Sequence, residues 1–368
     1  MRVGVNLLWL RPGLVGGSEE YLVRQLVALD DVAPDLELTV FALPALATAH
    51  PDLAEVATIV AAPSLTRARP ARIAVESTWL AAQTRRRRLD LIHHGGGTMP
   101  ALNAGVPTVL TIHDLQYLTY PQYFSATRRR YLAATMPRSA RRAQAICVPS
   151  AFVARTVTEA FAVLTERIFI VPHGLPRQTP DDDIGPSVEQ LQLPDRFVVY
   201  PAITHPHKNH LTLLRALARV DDVGAVLLGG RGRADAEVTN EIARLGLERR
   251  VVRPGRVPAA TRDALYRHAL ALTFPSRYEG FGAPVIEAMA LGCPVLAADA
   301  TALPDVVGDG GELIPTDDVV AWAAALTKVR DDAAHRANLI AKGRARAEHF
   351  TAAASARALV TAYRSVLR

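Results

Sequence analysis

The segment from Leu270 to Gly292 constrains the fold of this chain more strongly than any other part of the sequence. It begins with an apolar run, Leu270 to Phe274, which predicts a buried parallel strand. A helix is expected after Gly282, because Pro284 suits the first position of a helix. The residues between, Ser276 to Gly282, contain two glycines that let a ligand approach the backbone closely. The segment is therefore predicted to form a strand, a glycine loop and a helix start.

Such a loop turns free backbone N–H groups and the positive end of a helix dipole towards the space above the strand end, which suits a phosphate. Two carboxylates, Glu279 in the loop and Glu287 about one turn into the helix, flank this place. Because a phosphate repels carboxylates, these acids are better suited to accept hydrogen bonds from sugar hydroxyls. The combination indicates a sugar nucleotide. The alternative is an ordinary strand, loop and helix in which Glu287 is merely exposed.

The residues from Glu279 to Met289 read E-G-F-G-A-P-V-I-E-A-M. This motif resembles the retaining, nucleotide-sugar-dependent glycosyltransferases of family 4, which have the GT-B fold. The resemblance implies that the donor is bound by several residues of the motif, namely Gly280, Phe281, Gly282 and Glu287. It also implies that Glu287 holds ribose hydroxyls and that Glu279 holds the donor sugar. Front-face attack guided by the diphosphate is expected, rather than Glu279 acting as a nucleophile.

Lys208 is one of only three lysines in the chain, and it lies where a predicted strand gives way to a helix. The surrounding P-H-K-N-H resembles the P-x-K-N motif of family 4, whose lysine contacts the donor diphosphate. Many relatives carry an arginine a few residues earlier, but this sequence has Ala202 to Thr204 there. The second phosphate contact is therefore left to His207, Arg256 or Arg277. The alternative is a surface lysine without a function.

Another predicted strand, helix and glycine loop opens the chain, with Gly16 and Gly17 in the loop. Ser18 is a plausible N-cap for the helix, and Glu19 suits its first turn. The loop does not match G-x-G-x-x-G, which counts against a dinucleotide site. It resembles the G-G-x-E of family 4, so Gly16 and Gly17 are expected to face the donor pyrophosphate, with Glu19 on the acceptor side. A tight turn without a ligand is the alternative.

His113 and Asp114 follow the predicted strand Pro107 to Ile112, and catalytic groups often lie at the ends of parallel strands. The sequence T-I-H-D-L resembles the acceptor-side motif of family 4. By this resemblance His113 lines the reacting sugar and Asp114 lies near the acceptor. The alternative is an Asp that caps a helix beside a structural His. For His93 and His94 we expect a structural role.

Strands and helices alternate along the chain, and this predicts two doubly wound α/β domains. We assign 1–176 to a Rossmann-like, acceptor-binding domain and 195–350 to a Rossmann-like domain that binds the nucleotide sugar. The residues 177–194 contain three prolines and indicate a linker. The residues 351–368 predict an amphipathic helix. The GT-B resemblance implies that the domains face a cleft and that this helix packs back on the N-terminal domain.

The net charge of +6 lies in the first half, because residues 1–178 carry 19 arginines against 13 acids, whereas the remainder is balanced at 23 each. Basic runs such as Arg85 to Arg88 and Arg128 to Arg130 are solvated helix faces in the simplest interpretation. Alternatively, they hold the first domain against an anionic membrane or a lipid-linked phosphate, at about 1 kcal/mol per basic residue. Nucleic acid is disfavoured, because no recognition helix or aromatic platform is visible.

No apolar run approaches the roughly 20 residues that span a bilayer, and the N-terminus resembles a strand rather than a signal peptide. We therefore expect a cytoplasmic protein, with peripheral contact to the inner face of the membrane as an option. Cys147 and Cys293 are expected to be core residues without a disulfide or metal. No cofactor is expected. No metal is expected either, because the acidic run Asp181 to Asp183 falls in the linker.

The expected reaction moves a sugar from a nucleoside diphosphate sugar to a hydroxyl of a saccharide or lipid-linked acceptor, with His113, Glu279 and Lys208 in catalysis. GDP-mannose is the preferred donor, because the motifs are similar to those of bacterial mannosyltransferases that build polysaccharides. UDP- and dTDP-sugars stay open. The alternatives are a sugar-nucleotide 2-epimerase of the same fold and a nucleotide-binding module without turnover. A phosphorylase would need a lysine that binds pyridoxal phosphate. Because the chain has only three lysines, a phosphorylase is a poor match.

Overall fold

The computed structural model describes residues 1–14, 16–63, 69–102, 105–175, 188 and 190–367. The chain divides into two compact units. The first contains Met1–Arg177 together with Thr351–Arg368, and the second contains Gln178–Phe350. The predicted linker, 177–194, lies largely outside the described residues, and so does the acidic run within it.

The first unit is built on a parallel sheet with seven strands in the described part of the chain. They are β1 (Arg2–Asn6), β2 (Glu37–Ala42), β3 (Thr58–Ala61), β4 (Leu91–His94), β5 (Thr108–Thr111), β6 (Ala145–Val148) and β7 (Ile168–Ile170). Their order is β3-β2-β1-β4-β5-β6-β7, so the winding reverses between β1 and β4. In its register, Asn6 lies opposite Phe41 on one side and His94 on the other. Ligands of doubly wound sheets bind outside the strand ends at this reversal.

The helices of the first unit lie between these strands in the sequence, except for the last one. They are Gly17–Val27, Leu29–Val32, Ala45–Ala49, Pro51–Val56, Arg69–Ser77, Trp79–Arg86, Gln116–Thr119, Ala126–Arg142, Ala151–Phe161 and Ala352–Ser365. Short 3₁₀ turns form at Pro121–Tyr123 and Thr165–Arg167. The last helix places Leu359 and Tyr363 in the same core cluster as Val3 and Val5 of β1. This helix is therefore part of the first unit although it ends the chain.

The second unit repeats this design with a parallel sheet of six strands among the described residues. They are β8 (Phe197–Pro201), β9 (Gly224–Leu228), β10 (Val251–Gly255), β11 (Ala271–Phe274), β12 (Val295–Ala298) and β13 (Glu312–Ile314). The order β10-β9-β8-β11-β12-β13 places the reversal between β8 and β11. The helices are His210–Leu217, Asp235–Arg244, Ala259–His268, Ala283–Ala290, Leu303–Val307, Val319–Asp331 and Ala333–Ala347. A 3₁₀ turn, Pro206–Lys208, precedes the first of them.

The predicted fold class is confirmed, and the strands predicted at Leu270 to Phe274 and at Pro107 to Ile112 are present with ends that differ by at most one residue. The N-cap prediction for Ser18 is wrong. The first helix begins at Gly17 with Gly16 as its N-cap, because Gly16 turns the chain at a φ of 77°, and Ser18 is already inside the helix. Cys147 and Cys293 are buried free thiols, as expected. No helix in the described ranges is long and apolar enough to cross a membrane.

Candidate functional site

Lys208 and Glu279 meet at the winding reversal of the second sheet, one after β8 and the other after β11. Lys208 Nζ donates to Glu279 Oε1 over 2.5 Å, although the two residues are 71 positions apart. Their side chains are only 19% and 13% exposed. Removing one partner would leave the other as a poorly solvated charge, which is strongly unfavourable. The structure thus joins two of the three residues that the sequence assigned to catalysis.

The backbone around this pair is held by hydrogen bonds between the two loops. Tyr200 at the end of β8 donates its hydroxyl to the Lys208 carbonyl over 2.6 Å. The same hydroxyl lies 3.0 Å from Ser276 Oγ in the second loop. Thr301 Oγ1 accepts a hydrogen bond from the Glu279 backbone N–H over 3.0 Å. Tyr200 and Thr301 could not be identified from the sequence, and they hold the backbones of both loops in place.

The glycine loop ends at Gly282, which is the N-cap of the helix Ala283–Ala290 and has a φ of 99°. A Cβ at this position would lie 2.8 Å from Leu303 Cδ2, so both conformation and space favour glycine. Pro284 occupies the second helical position, one later than predicted. Phe281 is 4% exposed and packs edge-on against Phe350 with ring centroids 5.6 Å apart. A donor contact at Phe281 would therefore come from its backbone, as it would at the neighbouring Gly280.

Glu287 is buried, at 7% exposure, so the alternative of an exposed carboxylate is wrong. Its Oε2 lies 3.5 Å from Arg262 Nη1, which comes from the helix Ala259–His268. The Arg262 guanidinium also donates to Asp263. Arg262 could not be anticipated from the sequence, and it orients the Glu287 carboxylate from a neighbouring helix.

The three candidates for a second phosphate contact differ in charge. Burial and the nearby Lys208 charge lower the pKa of His207 to about 3, so its imidazole is neutral at ordinary pH and can supply a hydrogen bond but no cation. Arg277 donates to Asp317 Oδ1 over 2.7 Å. Arg256 is exposed, and its Nε lies 3.7 Å from the position of a Cβ on Gly230. The two arginines are the charged candidates of this group.

The glycine loop of the first unit leaves the space around its glycines open. A Cβ on Gly16 or Gly17 would meet no atom of the described residues within 4 Å, and of these two glycines only Gly16 has a positive φ. Val15 lies outside the described residues. Glu19 is 6% exposed; its Oε2 accepts from the Gly13 N–H over 2.9 Å, and its Oε1 accepts from His50 Nε2 over 2.8 Å. The acid predicted to bind acceptor thus also braces the loop.

His113 follows β5 and is hydrogen-bonded to Gly95, the residue directly after β4. Its Nε2 lies 2.8 Å from the Gly95 carbonyl oxygen. Because a carbonyl only accepts, Nε2 carries the proton and Nδ1 keeps a lone pair. Burial lowers the pKa of His113, so the ring is neutral and presents Nδ1 as an acceptor. Nδ1 makes no hydrogen bond to any residue that the structure describes.

The other polar residues near His113 have structural partners. Asp114 Oδ1 accepts from the Gln116 N–H over 2.8 Å at the start of the helix Gln116–Thr119, as in the capping alternative. His93 bonds to Tyr363 Oη at 2.8 Å and to Thr111 Oγ1 at 2.7 Å. Asn6 Nδ2 donates to His94 Nδ1 over 3.2 Å. Both histidines are almost fully buried, as expected for residues with a structural role.

No group of three or more His, Cys, Asp or Glu residues in the described part of the chain is arranged to hold a metal ion. The prediction that no metal takes part stays a prediction.

Two family models match this chain, one in each half. The model described as Glycosyltransferase Family 4 matches residues 15–178, and the model described as Glycosyl transferases group 1 matches residues 183–346. The chain belongs to the family 4 glycosyltransferases. The family and the transferase class predicted from the motifs are thereby confirmed.

Among curated relatives of this glycosyltransferase is the O-antigen chain mannosyltransferase B of Escherichia coli, 30% identical over 254 residues that cover 66% of each chain. The MMP alpha-(1->4)-mannosyltransferase of Mycolicibacterium hassiacum is 28% identical over 281 residues, 72% of this chain and 67% of the relative. A crystal structure of Anabaena Alr3699/HepE in complex with UDP and glucose matches with a TM-score of 0.78 and 22% identity, over 99% of this chain and 100% of that one. The last match confirms the fold, with two Rossmann-like domains of the GT-B type.

Proposed function

We propose that this glycosyltransferase transfers a sugar from a nucleoside diphosphate sugar to a hydroxyl of a saccharide or lipid-linked acceptor, with retention at the anomeric carbon. The observation that carries the proposal is the partly buried Lys208–Glu279 pair at the reversal of the second sheet, with Glu279 four residues before the helix Ala283–Ala290. Cation, glycine loop and helix N-terminus together suit a diphosphate.

Donor binding exchanges partners at this pair. A diphosphate oxygen takes the place of Glu279 Oε1 at Lys208 Nζ, and the released carboxylate accepts hydrogen bonds from hydroxyls of the donor sugar. The bond from the anomeric carbon to the diphosphate breaks, and Lys208 with the loop amides stabilises the charge on the leaving oxygen. The acceptor hydroxyl oxygen forms the new bond on the same face and gives its proton to the leaving diphosphate. Glu287, oriented by Arg262, holds the ribose.

The first unit supplies the acceptor side. His113 Nδ1 accepts a hydrogen bond from a hydroxyl of the reacting sugar, since the Gly95 carbonyl keeps the proton on Nε2. The loop at Gly16 and Gly17 has the open space that a ligand needs to reach its backbone. Asp114 and Glu19 are the proposed acceptor-binding residues. We propose no cofactor or metal, because Lys208, the loop amides and the helix N-terminus together stabilise the charge of the diphosphate.

GDP-mannose is the proposed donor. The names of two relatives, an O-antigen chain mannosyltransferase and an MMP alpha-(1->4)-mannosyltransferase, support a mannosyl donor. The structural match in complex with UDP and glucose supports a uridine nucleotide instead. UDP- and dTDP-sugars are therefore the competing candidates.

The first experiment measures the melting temperature of the protein with GDP, UDP and dTDP, for the wild type, Lys208→Ala and Lys328→Ala. Lys328 is an exposed lysine on the helix Val319–Asp331 and serves as the matched control. A ligand at about 100 times its Kd stabilises by about 2.7 kcal/mol. We expect one nucleotide to raise the melting temperature of the wild type and of Lys328→Ala, but not of Lys208→Ala. No shift with any nucleotide would contradict the donor site.

Turnover separates the transferase from a binding module that keeps the donor pocket. We expect slow release of mannose from GDP-mannose in water, lost in Lys208→Ala and in Glu279→Ala. A nucleotide that binds without any release of sugar from GDP-mannose, UDP-glucose or a dTDP-sugar would favour the binding module.

We further propose a peripheral contact with an anionic membrane through the helix Ala126–Arg142. This helix carries six arginines and no acidic residue. Three of them lie near its N-terminus, where the helix dipole disfavours cations, so helix stability does not explain them. Four of its arginines are exposed and have guanidinium groups that bond to none of the described residues, namely Arg129, Arg130, Arg138 and Arg141. Leu118, 48% exposed, and the stacked pair Tyr120 and Tyr123 precede the helix, as in a membrane-interface segment.

Vesicle sedimentation tests this contact with neutral phosphatidylcholine and with vesicles that also contain phosphatidylglycerol. The variant replaces Arg130, Arg138 and Arg141 by Gln, and the control replaces three exposed arginines of the second unit, Arg219, Arg249 and Arg267, by Gln. At about 1 kcal/mol per arginine, the first variant loses about a hundredfold in binding to anionic vesicles. Equal binding of the variant and control, or no binding at low salt, would contradict the contact.

A further inference from the structure

Three aromatic rings form a series that ends at His113. Tyr21 on the helix Gly17–Val27 is 1% exposed and meets His113 edge-on, with ring centroids 5.6 Å apart and planes at 79°. Tyr21 also stacks on His173, with ring centroids 4.2 Å apart and planes at 24°. Neither Tyr21 nor His173 belongs to a motif that predicted the site. The series therefore connects the proposed sugar-contacting histidine to a part of the chain that has no assigned role.

The far end of this series lies in the turn that follows β7, and Tyr21 also bonds to that turn. Tyr21 Oη donates to the Val171 carbonyl over 2.6 Å. Ser355 Oγ, on the helix Ala352–Ser365, donates to the Pro172 carbonyl. The turn is thus hydrogen-bonded to two helices, which fixes the position of His173 relative to Tyr21.

Gly174, the residue after His173, brings the turn close to the last helix. A Cβ on Gly174 would lie 2.5 Å from Ala352 Cα, so the turn and the last helix are in backbone contact. Gln25 Nε2, one turn after Tyr21, donates to Ser355 Oγ over 2.9 Å. The helix that carries Tyr21 and the helix that holds the turn are therefore bonded to each other as well.

The single hydrogen bond from His113 Nε2 to the Gly95 carbonyl fixes one point of the imidazole but leaves rotation about that bond open. The Tyr21 ring limits this rotation from one side, and Trp9, with its centroid 6.0 Å away at 53°, limits it from another. The plane of the imidazole decides where the Nδ1 lone pair points. A hydrogen bond to a sugar hydroxyl depends on that direction.

We propose that Tyr21 and His173 are positioning residues, which hold the imidazole plane of His113 so that Nδ1 faces the hydroxyl of the reacting sugar. The inference rests on the proposed function in one respect, that His113 contacts that sugar. Tyr21 acts by direct contact with His113, and His173 acts by fixing the ring of Tyr21. A purely structural role would require only apolar volume at position 21 and would leave the His113 ring unaffected.

The test is NMR of the full-length protein labelled with ¹⁵N in its histidines, with the His113 signals assigned from their loss in His113→Asn. The variants are Tyr21→Leu and His173→Ala, which break the series, and His173→Phe, which keeps a stacking ring. The matched control is Tyr363→Phe, which removes a buried hydroxyl that bonds to His93 in the same unit and leaves Tyr21 in place.

In the wild type we expect a protonated Nε2 and an unprotonated Nδ1. In Tyr21→Leu and His173→Ala we expect the two nitrogen shifts of His113 to converge, because the ring samples other orientations and tautomers. His173→Phe and Tyr363→Phe should keep the wild-type pattern. Wild-type signals in both disrupting variants would overturn the proposal. If Tyr21→Leu does not fold, the contrast between His173→Ala and His173→Phe decides.

Hydrolysis of GDP-mannose and of UDP-glucose provides the second measurement. We expect kcat to fall by about tenfold in Tyr21→Leu and His173→Ala with KM little changed, because misplacement acts on the reacting geometry. His173→Phe should restore kcat to within about twofold. Should His113→Ala turn over both donors at the wild-type rate, the proposed role of His113 fails. The nitrogen shifts report the positioning separately, so the two failures can be told apart.

Discussion

The two glycine loops, one after β1 and one after β11, each follow a strand at the winding reversal of its sheet but are built differently. The space around Gly16 and Gly17 is open, whereas a Cβ on Gly282 would collide with Leu303. The acid of the first loop, Glu19, has both oxygens bonded to Gly13 and His50, while that of the second, Glu279, is held by a lysine. Two glycine loops thus have an acid bonded within the first unit in one case and a partly buried ion pair in the other.

The largest expected effect is a loss of stability at low pH, to which buried histidines of both units contribute. In the first unit, burial lowers the pKa of His93 and His94 to about 3. Above pH 6.5 both are neutral whether the chain is folded or not. As pH falls below 6.5 the unfolded chain binds protons that the folded chain cannot, so the free energy of unfolding decreases until pH reaches about 3. The expected loss is about 1.4 kcal/mol per pH unit for each histidine.

Urea unfolding of the full chain between pH 7.5 and pH 5 measures this slope. In His94→Gln the slope should be smaller by the contribution of one histidine. Lys208→Ala provides a comparison in the second unit. The Lys208 charge is the second cause of the lowered pKa of His207, after burial, so its removal should raise that pKa. That variant should change the pH dependence of the second unit and leave the first unchanged. A free energy of unfolding that stays level over this range would show that the histidines are not protected from protonation.

Gly282→Ala is expected to destabilise the second unit by about 1–3 kcal/mol, because alanine is strained at a φ of 99°. The Cβ would also push Leu303 aside, and the shifted loop should lose the melting shift given by the nucleoside diphosphate. Thermal unfolding with and without nucleotide measures both effects. Ala283→Gly, at the next position, is the control for a change in the same helix start that leaves the Gly282 conformation intact. Unchanged stability and binding in Gly282→Ala would mean that packing does not fix this loop.

Local patterns were sufficient to predict the strands and the loops, because apolar runs and glycines report short-range structure. Lys208 and Glu279 were singled out by the resemblance of their motifs to family 4, and the contact between them appears only in the folded chain. The partner of Glu287, Arg262, could not be predicted, because the contact depends on how two helices pack.

The protonation state of His207 was equally beyond the sequence. Its lowered pKa comes first from burial, which only the folded chain defines. Tyr21 has the same limitation, since its apolar spacing predicts a core position and says nothing of His113. Ser18 shows the opposite error, because a good capping residue loses to the turn geometry of Gly16.

The smallest expected effect on stability comes from Gly17→Ala. This variant tests most directly whether the first glycine loop binds a ligand, as is proposed for the second. Gly17 begins a helix, lacks a positive φ and has open space around its Cα, so alanine should be neutral or stabilise by up to about 1 kcal/mol. If a ligand approaches this loop, the added methyl group blocks it. We therefore expect Gly17→Ala to keep its stability while losing the nucleotide melting shift and sugar release from GDP-mannose. Full activity would instead support a tight turn without a ligand, and the open space would then have no role in the reaction.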